Sequence, residues 1–266
     1  MPVQLTMPSD PPPWIAFTRE VSPTIVECEL THLARSPINV ERARAQHHAY
    51  EALLESLGCA VCRVAAALDQ PDAVFIEDTA VVFDELAVIT RPGAESRRAE
   101  TVAVEAALTR RRPIARITTP GTLDGGDVLV VGRSVFVGRT ARTNDEGIAQ
   151  LRLLLAPFGY VVEGIQVTGC LHLKSAVTAV GFDTVLMNPE WVNPVDFARF
   201  RAEAVDPREP MGANVLRIGD HLVYDAAYPR TLARLERLGY TLHTVDASEL
   251  AKAEGAVTCC SLIVRS

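Results

Sequence analysis

The chain has 266 residues, 48% of them hydrophobic, and a formal net charge of −7 at pH 7. A chain of this length buries a sizeable core without disulfides or metals. Its acidic balance argues against nucleic-acid binding, which needs a basic face, and favours a small-molecule ligand. No stretch reaches the ~20 apolar residues of a membrane span, and the six cysteines lack secreted-type spacing, so we expect free thiols in a reducing cytoplasm.

Short apolar strands alternate with amphipathic helices along the chain. The proline-rich start predicts a loose tail over residues 1–13, and the absence of a linker predicts one domain over residues 14–266. The predicted strands are, in chain order, WIAFT, CAVCRV, TAVVFD, LAVIT, IARIT, DVLVVG, SVFVG, YVVEGI, LKSAVTAV, DTVLMN, AEAV, ANVLRIG, HLVYD, YTLHTV and CCSLIVR. The predicted helices run from Asn39 to Leu57, Ala94 to Thr109, Asn144 to Ala156 and Pro229 to Leu238.

These elements form a repeat. The unit strand–strand–helix–strand recurs roughly every 45–50 residues, a spacing typical of propellers and solenoids. The last strand would complete the unit that the first strand begins, so the array would close on itself and bring the last strand near its centre. A doubly wound sheet is the alternative, but its strands are joined one by one through helices rather than in hairpin pairs.

An acidic cluster precedes one apolar strand. Asp72, Glu77 and Asp78 lie in PDAVFIEDTAVV. Carboxylates at the start of a buried strand are costly unless they meet a cation or hydrogen-bond donors. The cluster therefore predicts a pocket for a positively charged group, with a solvated turn as the alternative.

Two further motifs carry candidate catalytic residues. The glycines between Asp124 and Asp127 in LDGGD predict a turn where the backbone has a positive φ or approaches a ligand closely, so either aspartate could face a site. His172, in GCLHLKS, lies at the predicted start of a strand, on the same face as Cys170. It is a candidate partner for a distant cysteine, because a thiol nucleophile needs a neighbouring acid or base. A structural histidine is the alternative.

Arginines stand near two predicted helix starts. Arg97, Arg98 and Arg142 oppose the helix dipole there, while the backbone N–H groups favour anions. These positions predict carboxylate binding, with simple solvation as the alternative. The CxxC spacing of Cys59 and Cys62 lies in a strand, so we assign both thiols to packing, and no set of zinc ligands is evident.

Seven segments together resemble the dimethylarginine dimethylaminohydrolase family of the pentein superfamily. In family order they are DAVFIEDTAVV, ITRPGAESRR, GTLDGGDVL, RTNDEG, LHLKS, GANVL and GAVTCCSL. The resemblance implies an α/β fold, a five-bladed pseudosymmetric propeller built of ββαβ repeats. The repeat inferred from the strand and helix pattern agrees with that fold.

The resemblance also implies a role for each matching position. Cys259 matches the nucleophile, His172 the general acid/base, and Asp124 the acid that orients the histidine and meets the substrate. The implied substrate pocket combines carboxylates for a guanidinium group, arginines for the amino-acid end and a mobile lid. Its residues are Leu30, at the lid, Asp72, Glu77, Asp78, Arg97 and Arg142.

The implied reaction converts Nω,Nω-dimethyl-L-arginine or Nω-monomethyl-L-arginine to L-citrulline and dimethylamine or methylamine through a cysteine-linked S-alkylthiouronium. The resemblance implies no metal and no organic cofactor. Zinc binding to Cys259 and His172 as an inhibitor is a hypothesis. The implied enzyme of arginine metabolism is cytoplasmic, bears on nitric oxide regulation, and has no nucleic-acid or membrane partner; propeller edges favour a homodimer.

Other functions stay open at this point. An arginine deiminase acts on unmethylated arginine, but such relatives are typically longer, and an amidinotransferase needs an amine acceptor. A silent protein would bind cationic amino acids without turnover, and in the plainest interpretation Cys259 and Cys260 only fill a core. Adjacent side chains on a strand point to opposite faces, so we expect Cys259 to face His172 and Cys260 to pack.

Overall fold

A computed structural model describes residues 13–266, so nearly all of the predicted tail over residues 1–13 lies outside the described residues. Within them the chain forms five three-stranded sheets. In every sheet the middle strand pairs antiparallel with one neighbour and parallel with the other. A hairpin joins an antiparallel pair, whereas parallel strands need a longer crossover. Each sheet therefore follows the predicted ββαβ order, except that in one of them the crossover contains a 3-10 helix, Pro194–Phe197, instead of an α-helix.

The strands are β1 Trp14–Thr18, β2 Cys59–Arg63, β3 Ala80–Val82, β4 Ala87–Ile89, β5 Ile114–Arg116, β6 Val128–Val131, β7 Ser134–Arg139, β8 Val161–Gln166, β9 Val177–Ala179, β10 Thr184–Met187, β11 Arg201–Ala204, β12 Val215–Ile218, β13 His221–Asp225, β14 Thr241–Val245 and β15 Leu262–Arg265. The helices are α1 Val40–Ser56, α2 Thr101–Leu108, α3 Asp145–Leu155, α4 Leu173–Ala176, α5 Pro229–Arg237 and α6 Ser248–Ala251. None of these helices is both long and apolar enough to pass through a membrane.

The units close into a ring. Strand β15 pairs with β1 from Phe17–Leu262 to Trp14–Arg265, so the two ends of the described chain share one sheet. The first strands of neighbouring units contact one another, as β15 does with β3, β6 with β9, and β9 with β12. The five first strands therefore surround a common axis, and the loops at their ends converge on it.

Local sequence sets the helix boundaries. Helix α1 begins after Asn39, whose side chain accepts a hydrogen bond from the Arg42 N–H, and it is closed by Gly58 at φ +87°. Helix α3 begins after Asn144, whose side chain accepts from the Gly147 N–H. Both boundaries agree with the prediction from capping residues.

Three local predictions are wrong. The segment from Ala94 starts as a 3-10 helix over Glu95–Glu100 and only then becomes α2. LKSAVTAV does not begin as a strand: its first four residues form α4, whose first N–H donates to Asp127. Cys259 and Cys260 precede β15 in a turn closed by the bond from the Cys259 N–H to the Ala256 carbonyl. In each case a tertiary or turn contact overrides the local pattern.

The core lies between each crossover helix and its sheet. Helix α3 places Ile148, Leu151 and Leu155 at helical spacing on one buried face, where they join Val135 and Val137 of β7 in one cluster. Each of these helices thereby supports the outer side of its sheet. The polar loops at one end of the axis extend from these rigid elements and form the site.

Candidate active site

Loops at one end of the ring surround a small cavity. Six of the nine predicted site residues line it: Asp72, Asp78, Arg97, Arg142, His172 and Cys259. They come from five different segments of the chain. Their convergence follows from the closure of the ring.

His172 lies between carboxylates. Its Nε2 is 3.1 Å from Asp124 Oδ2, and its Nδ1 is 3.7 Å from Asp78 Oδ1. Burial of the imidazole opposes protonation, but the charges of Asp78, Asp127 and Asp124 outweigh it and raise the pKa of His172 to about 9. The side chain is therefore an imidazolium at neutral pH, a form that can donate a proton.

Asp78 is held ionised. Its Oδ2 is 2.6 Å from Arg97 Nη1, and its Oδ1 accepts from the Gly126 N–H at 2.9 Å. Burial opposes ionisation, but the positive charges of His172 and Arg97 outweigh it and lower the pKa of Asp78 to about 2. This carboxylate supplies negative charge to the cavity over the whole physiological pH range.

Gly126 serves close approach rather than an unusual backbone angle. A Cβ there would lie 2.6 Å from His172 Nδ1 and 2.8 Å from Asp78 Oδ1. The same holds for Gly125, whose Cβ would lie 2.0 Å from the Glu77 carbonyl oxygen. Neither glycine has a positive φ, so that part of the prediction is wrong. The close approach is to protein groups, and approach to a ligand stays a prediction.

Arg97 lines the cavity but is fully engaged by the protein. Its Nη2 donates to the Phe75 carbonyl at 3.0 Å and to Glu100 Oε2 at 2.9 Å, and its Nε donates to Glu100 Oε1 at 3.1 Å. With Nη1 on Asp78, every nitrogen of the guanidinium has a protein acceptor. The sequence reasoning did not select Glu100, although its spacing three residues after Arg97 could have indicated a pair.

Asp124 lies behind His172 and not on the cavity wall. It is fully buried, accepts from the Gly93 N–H at 2.8 Å, and stands 3.9 Å from Arg142 Nη1. These contacts fix the carboxylate while its other oxygen reaches the imidazole. The arrangement suits the orientation of a histidine.

Asp127 is a second buried acid, which the sequence left as an alternative to Asp124. It accepts from the hydroxyls of Thr140 and Thr143 at 2.7 Å and from the Leu173 N–H at 2.9 Å. Burial raises the pKa of this carboxyl to about 6. Because Leu173 follows His172 directly, Asp127 fixes the backbone that carries the imidazole. Cys170, expected to share a face with His172, instead packs in the core with its thiol near the His172 carbonyl oxygen.

The two adjacent cysteines differ. Cys259 is 9% exposed and lines the cavity, and burial together with the charges of Glu77 and Asp78 raises the pKa of its thiol. Cys260 is 3% exposed, packs in the core, and directs its thiol to the Ala256 carbonyl. The predicted inequivalence therefore holds, although a turn and not a strand separates the two side chains.

Glu77 does not reach this cavity. Its carboxylate accepts from Lys174 Nζ at 2.5 Å and from the Thr258 hydroxyl at 2.8 Å. It faces a second cavity of about 780 Å³, lined by the first strands β3, β6, β9, β12 and β15, which we call the axial cavity. Burial raises the pKa of Glu77 in spite of Lys174. The structure thus separates Glu77 from Asp78, its neighbour in sequence.

Leu30 is half-buried and packs against the core without lining the cavity, whereas its neighbour Glu29 lines it. We call residues 29–33 the mouth segment. The Glu29 N–H donates to Asp72 Oδ2 at 3.1 Å, and Arg142 Nη2 donates to the Thr31 hydroxyl at 3.2 Å. Two predicted pocket residues therefore hold this segment. Burial raises the pKa of the Asp72 carboxyl.

Among the described residues, ligand atoms of Asp78, Asp124 and His172 lie within 4.8 Å of one another, close enough to hold a metal ion. Both nitrogens of His172 already face carboxylates, so the group also forms an ion-paired network without a metal. Cys259 is not part of this set. The cluster is thus compatible with, but distinct from, zinc on Cys259 and His172.

No family model matches the chain. It is 43% identical over 253 residues to the N(G),N(G)-dimethylarginine dimethylaminohydrolase of Streptomyces coelicolor, covering 94% of this chain and 96% of that protein. A solved structure of the Pseudomonas aeruginosa protein DDAH, a cysteine-to-serine variant complexed with citrulline, matches with a TM-score of 0.90 at 32% identity, over 94% of this chain and 98% of that one. The N-terminal domain of ArgZ, a cyanobacterial arginine dihydrolase, shares the fold with a TM-score of 0.87 at 18% identity, over 95% and 98%.

Proposed function

The chain belongs to the dimethylarginine dimethylaminohydrolase family, and we propose that it hydrolyses Nω,Nω-dimethyl-L-arginine and Nω-monomethyl-L-arginine to L-citrulline and the corresponding methylamine. The observation that carries this proposal is that Cys259 and the imidazolium of His172 line one cavity together with the carboxylates of Asp72 and Asp78. A thiol nucleophile and a proton donor are what the cleavage of an amidine C–N bond requires.

The cavity suits a cationic substrate. Asp72 and Asp78 supply carboxylates that can hold a planar guanidinium group through charge-assisted hydrogen bonds. Arg142 lies at the same cavity with its guanidinium near the mouth segment, where it can meet the carboxylate of an amino acid. Leu30 belongs to the segment that covers the mouth.

Two of the proposed residues act through others. Arg97 fixes the charge and position of Asp78, because each of its three side-chain nitrogens donates to an acceptor within the protein. Glu77 acts from the far side of Cys259, through the hydroxyl of Thr258. We propose both as positioning residues of the same site. Asp124 orients His172.

The chemistry begins with the thiol. Bound substrate brings a positive charge that lowers the pKa of Cys259, and the proton leaves to water. The thiolate attacks the guanidinium carbon and forms a C–S bond. His172 donates its proton to the dimethylamino nitrogen as the C–N bond breaks, which leaves an S-alkylthiouronium.

The second half uses the neutral form of His172. It takes a proton from a water molecule whose oxygen attacks the same carbon. The C–S bond then breaks, citrulline leaves and the cysteine is regenerated. Asp124 and Asp78 stabilise the imidazolium at the beginning and the end of this cycle.

The wider setting is also a proposal. We propose a cytoplasmic enzyme with one catalytic domain over residues 14–266, which removes methylated arginines and so bears on nitric oxide formation. The six free cysteines support a reducing compartment, and the shared sheet of β1 and β15 supports one domain. We further propose a homodimer, which light scattering of the purified protein would test.

The deciding experiment compares substrates on one enzyme. We expect citrulline from dimethylarginine and monomethylarginine, with little from unmodified arginine, and a covalent adduct on Cys259 in mass spectra of the quenched reaction. Faster ammonia release from arginine would identify an arginine deiminase. Binding of dimethylarginine without any turnover would identify a binding protein.

A further inference from the structure

Glu254 has an unusual backbone conformation. Among the described residues it alone combines a side chain with a positive φ, of 59°. L-residues other than glycine avoid this region, and a strained residue persists where surrounding contacts outweigh the strain. Gly255 follows directly, so the chain places the strain on the glutamate although a glycine stands beside it.

The carboxylate of Glu254 explains what outweighs the strain. Oε1 accepts from the N–H groups of His32 at 2.5 Å and Leu33 at 2.7 Å, and Oε2 accepts from the Thr31 N–H at 2.9 Å. One anion thus binds three consecutive backbone donors from a segment more than 200 residues away in sequence. Hydrogen bonds to an ionised acceptor are roughly twice as strong as neutral ones.

These bonds hold the mouth segment at the catalytic cavity. Glu254 and Glu29 both line that cavity. Behind the same bonds lies a third cavity, to which His32, Leu33 and Glu254 contribute. Residues of the mouth segment therefore line two separate cavities, Glu29 the catalytic one and His32 and Leu33 the third.

The closed mouth blocks access to the reacting groups. Cys259 is 9% exposed and His172 4%, so little of either side chain is open to solvent. Asp72 and Arg142 are also bonded to the mouth segment, through Glu29 and Thr31. Displacing the segment would free both groups at the moment when a substrate enters.

We propose that Glu254 is a positioning residue that latches the mouth segment over the catalytic cavity, and that release of its three hydrogen bonds admits the substrate. The inference rests on the proposed function only for the place of the catalytic cavity at Cys259. The latch is formed by the Glu254 carboxylate and the N–H groups of residues 31–33. Substrate binding and latch closure are coupled because both use Asp72 and Arg142.

The test uses a graded series of variants. Glu254→Gln keeps one side-chain carbonyl oxygen but removes the charge, and Glu254→Gly removes the acceptor and also relieves the positive φ. The matched control is Glu236→Gln, which changes an exposed glutamate near the end of α5. Amide hydrogen exchange of residues 29–34 and alkylation of Cys259 by iodoacetamide are measured without substrate, at one pH.

We expect exchange at residues 31–33 to be at least about tenfold faster in Glu254→Gly, less so in Glu254→Gln, and unchanged in the control, since tenfold corresponds to about 1.4 kcal/mol. Alkylation of Cys259 should follow the same order. With dimethylarginine, KM should fall by up to about tenfold in Glu254→Gly, because the held segment competes with the substrate for Asp72 and Arg142, while kcat changes by less than about threefold.

Unchanged exchange at residues 31–33 together with unchanged alkylation in both variants overturns the latch. So does a loss of activity without faster exchange, because Glu254 would then act on the substrate directly. If Glu254→Gly unfolds, exchange and alkylation of the isosteric Glu254→Gln still test the latch. Exchange and alkylation need no turnover, so they test the latch even if the proposed reaction is wrong.

Discussion

Two cavities meet at the turn that carries Cys259. The adjacent residues Glu77 and Asp78 face different cavities, and their pKa values shift in opposite directions. On the catalytic side, His172 and Arg97 lower the pKa of Asp78 to about 2. On the axial side, burial raises the pKa of Glu77 although Lys174 lies 2.5 Å away. The difference shows that the number of positive charges and N–H donors around a carboxylate, and not its burial alone, decides whether it stays ionised.

The wall between the cavities is a neutral hydrogen-bond network. Asn214 accepts from the Thr258 N–H and donates to the Thr258 hydroxyl, both at 3.0 Å, and that hydroxyl donates to Glu77. The network fixes the residue before Cys259 from the axial side. The catalytic side therefore holds the reacting charges, while the axial side provides the support.

The largest expected effect separates Cys259 from its neighbour. Cys259→Ser should lower kcat by more than about ten-thousandfold, because a hydroxyl at neutral pH is a far poorer nucleophile than a thiolate. Cys260→Ser is the matched control, since its hydroxyl can still donate to the Ala256 carbonyl, and it should keep kcat within about threefold. Initial rates of citrulline formation measure both. Equal losses in the two variants would contradict the division of roles.

The second-largest expected effect concerns the proton donor of the catalytic cavity, His172. His172→Asn should lower kcat by about 10²–10⁴-fold through loss of proton transfer. The exposed His48→Asn should leave it unchanged. Single-turnover measurements should show slower release of dimethylamine in the first variant, and a normal rate there would assign the proton donor elsewhere.

The raised pKa of His172 predicts that the free energy of unfolding depends on pH. Its pKa is raised from 6.5 to about 9, so its ion pairs stabilise the fold fully below pH 6.5 and lose that effect as pH rises through 9. The change is about 3 kcal/mol in the free energy of unfolding. Urea unfolding at pH 6 and pH 9.5 measures it. The difference should shrink by about 3 kcal/mol in His172→Asn, with the ionisation of buried thiols accounting for the rest, and an identical pH profile there would exclude this residue as its source.

The smallest effect tests the axial side. Lys174→Met leaves Glu77 buried without its counterion and should lower the free energy of unfolding by about 2 kcal/mol, less than for a fully buried pair because Lys174 is partly exposed. Adding Glu77→Gln should restore most of the loss. Chemical denaturation of the single and double variants measures this coupling. Strict additivity would mean that the pair does not interact.

Much of the fold was predictable because each ββαβ unit carries its own strand alternation and capping residues. Asn39 and Asn144 correctly predict where two helices begin. Local patterns failed where a distant contact decided the backbone, as at α4, whose first N–H binds Asp127. The cysteine pair was placed on a strand because its hydrophobic context extends that of β15.

The motifs located the site but not the direction of every side chain. Glu77 and Asp78 lie together on the 3-10 turn Ile76–Thr79, which turns neighbouring side chains apart. No pattern in one sequence tells which of the two faces the nucleophile. Glu254 was missed altogether, because its role depends on N–H groups more than 200 residues earlier in the chain.

The pairing of β1 with β15 also orders the assembly of the molecule. Trp14 and Arg265 meet across nearly the whole chain length, and such long-range contacts form late, because the loop between them must first lose its freedom. The Cys259 turn lies next to that closing strand. The cavity that shelters the reactive thiol is therefore complete only when both ends of the described chain share one sheet.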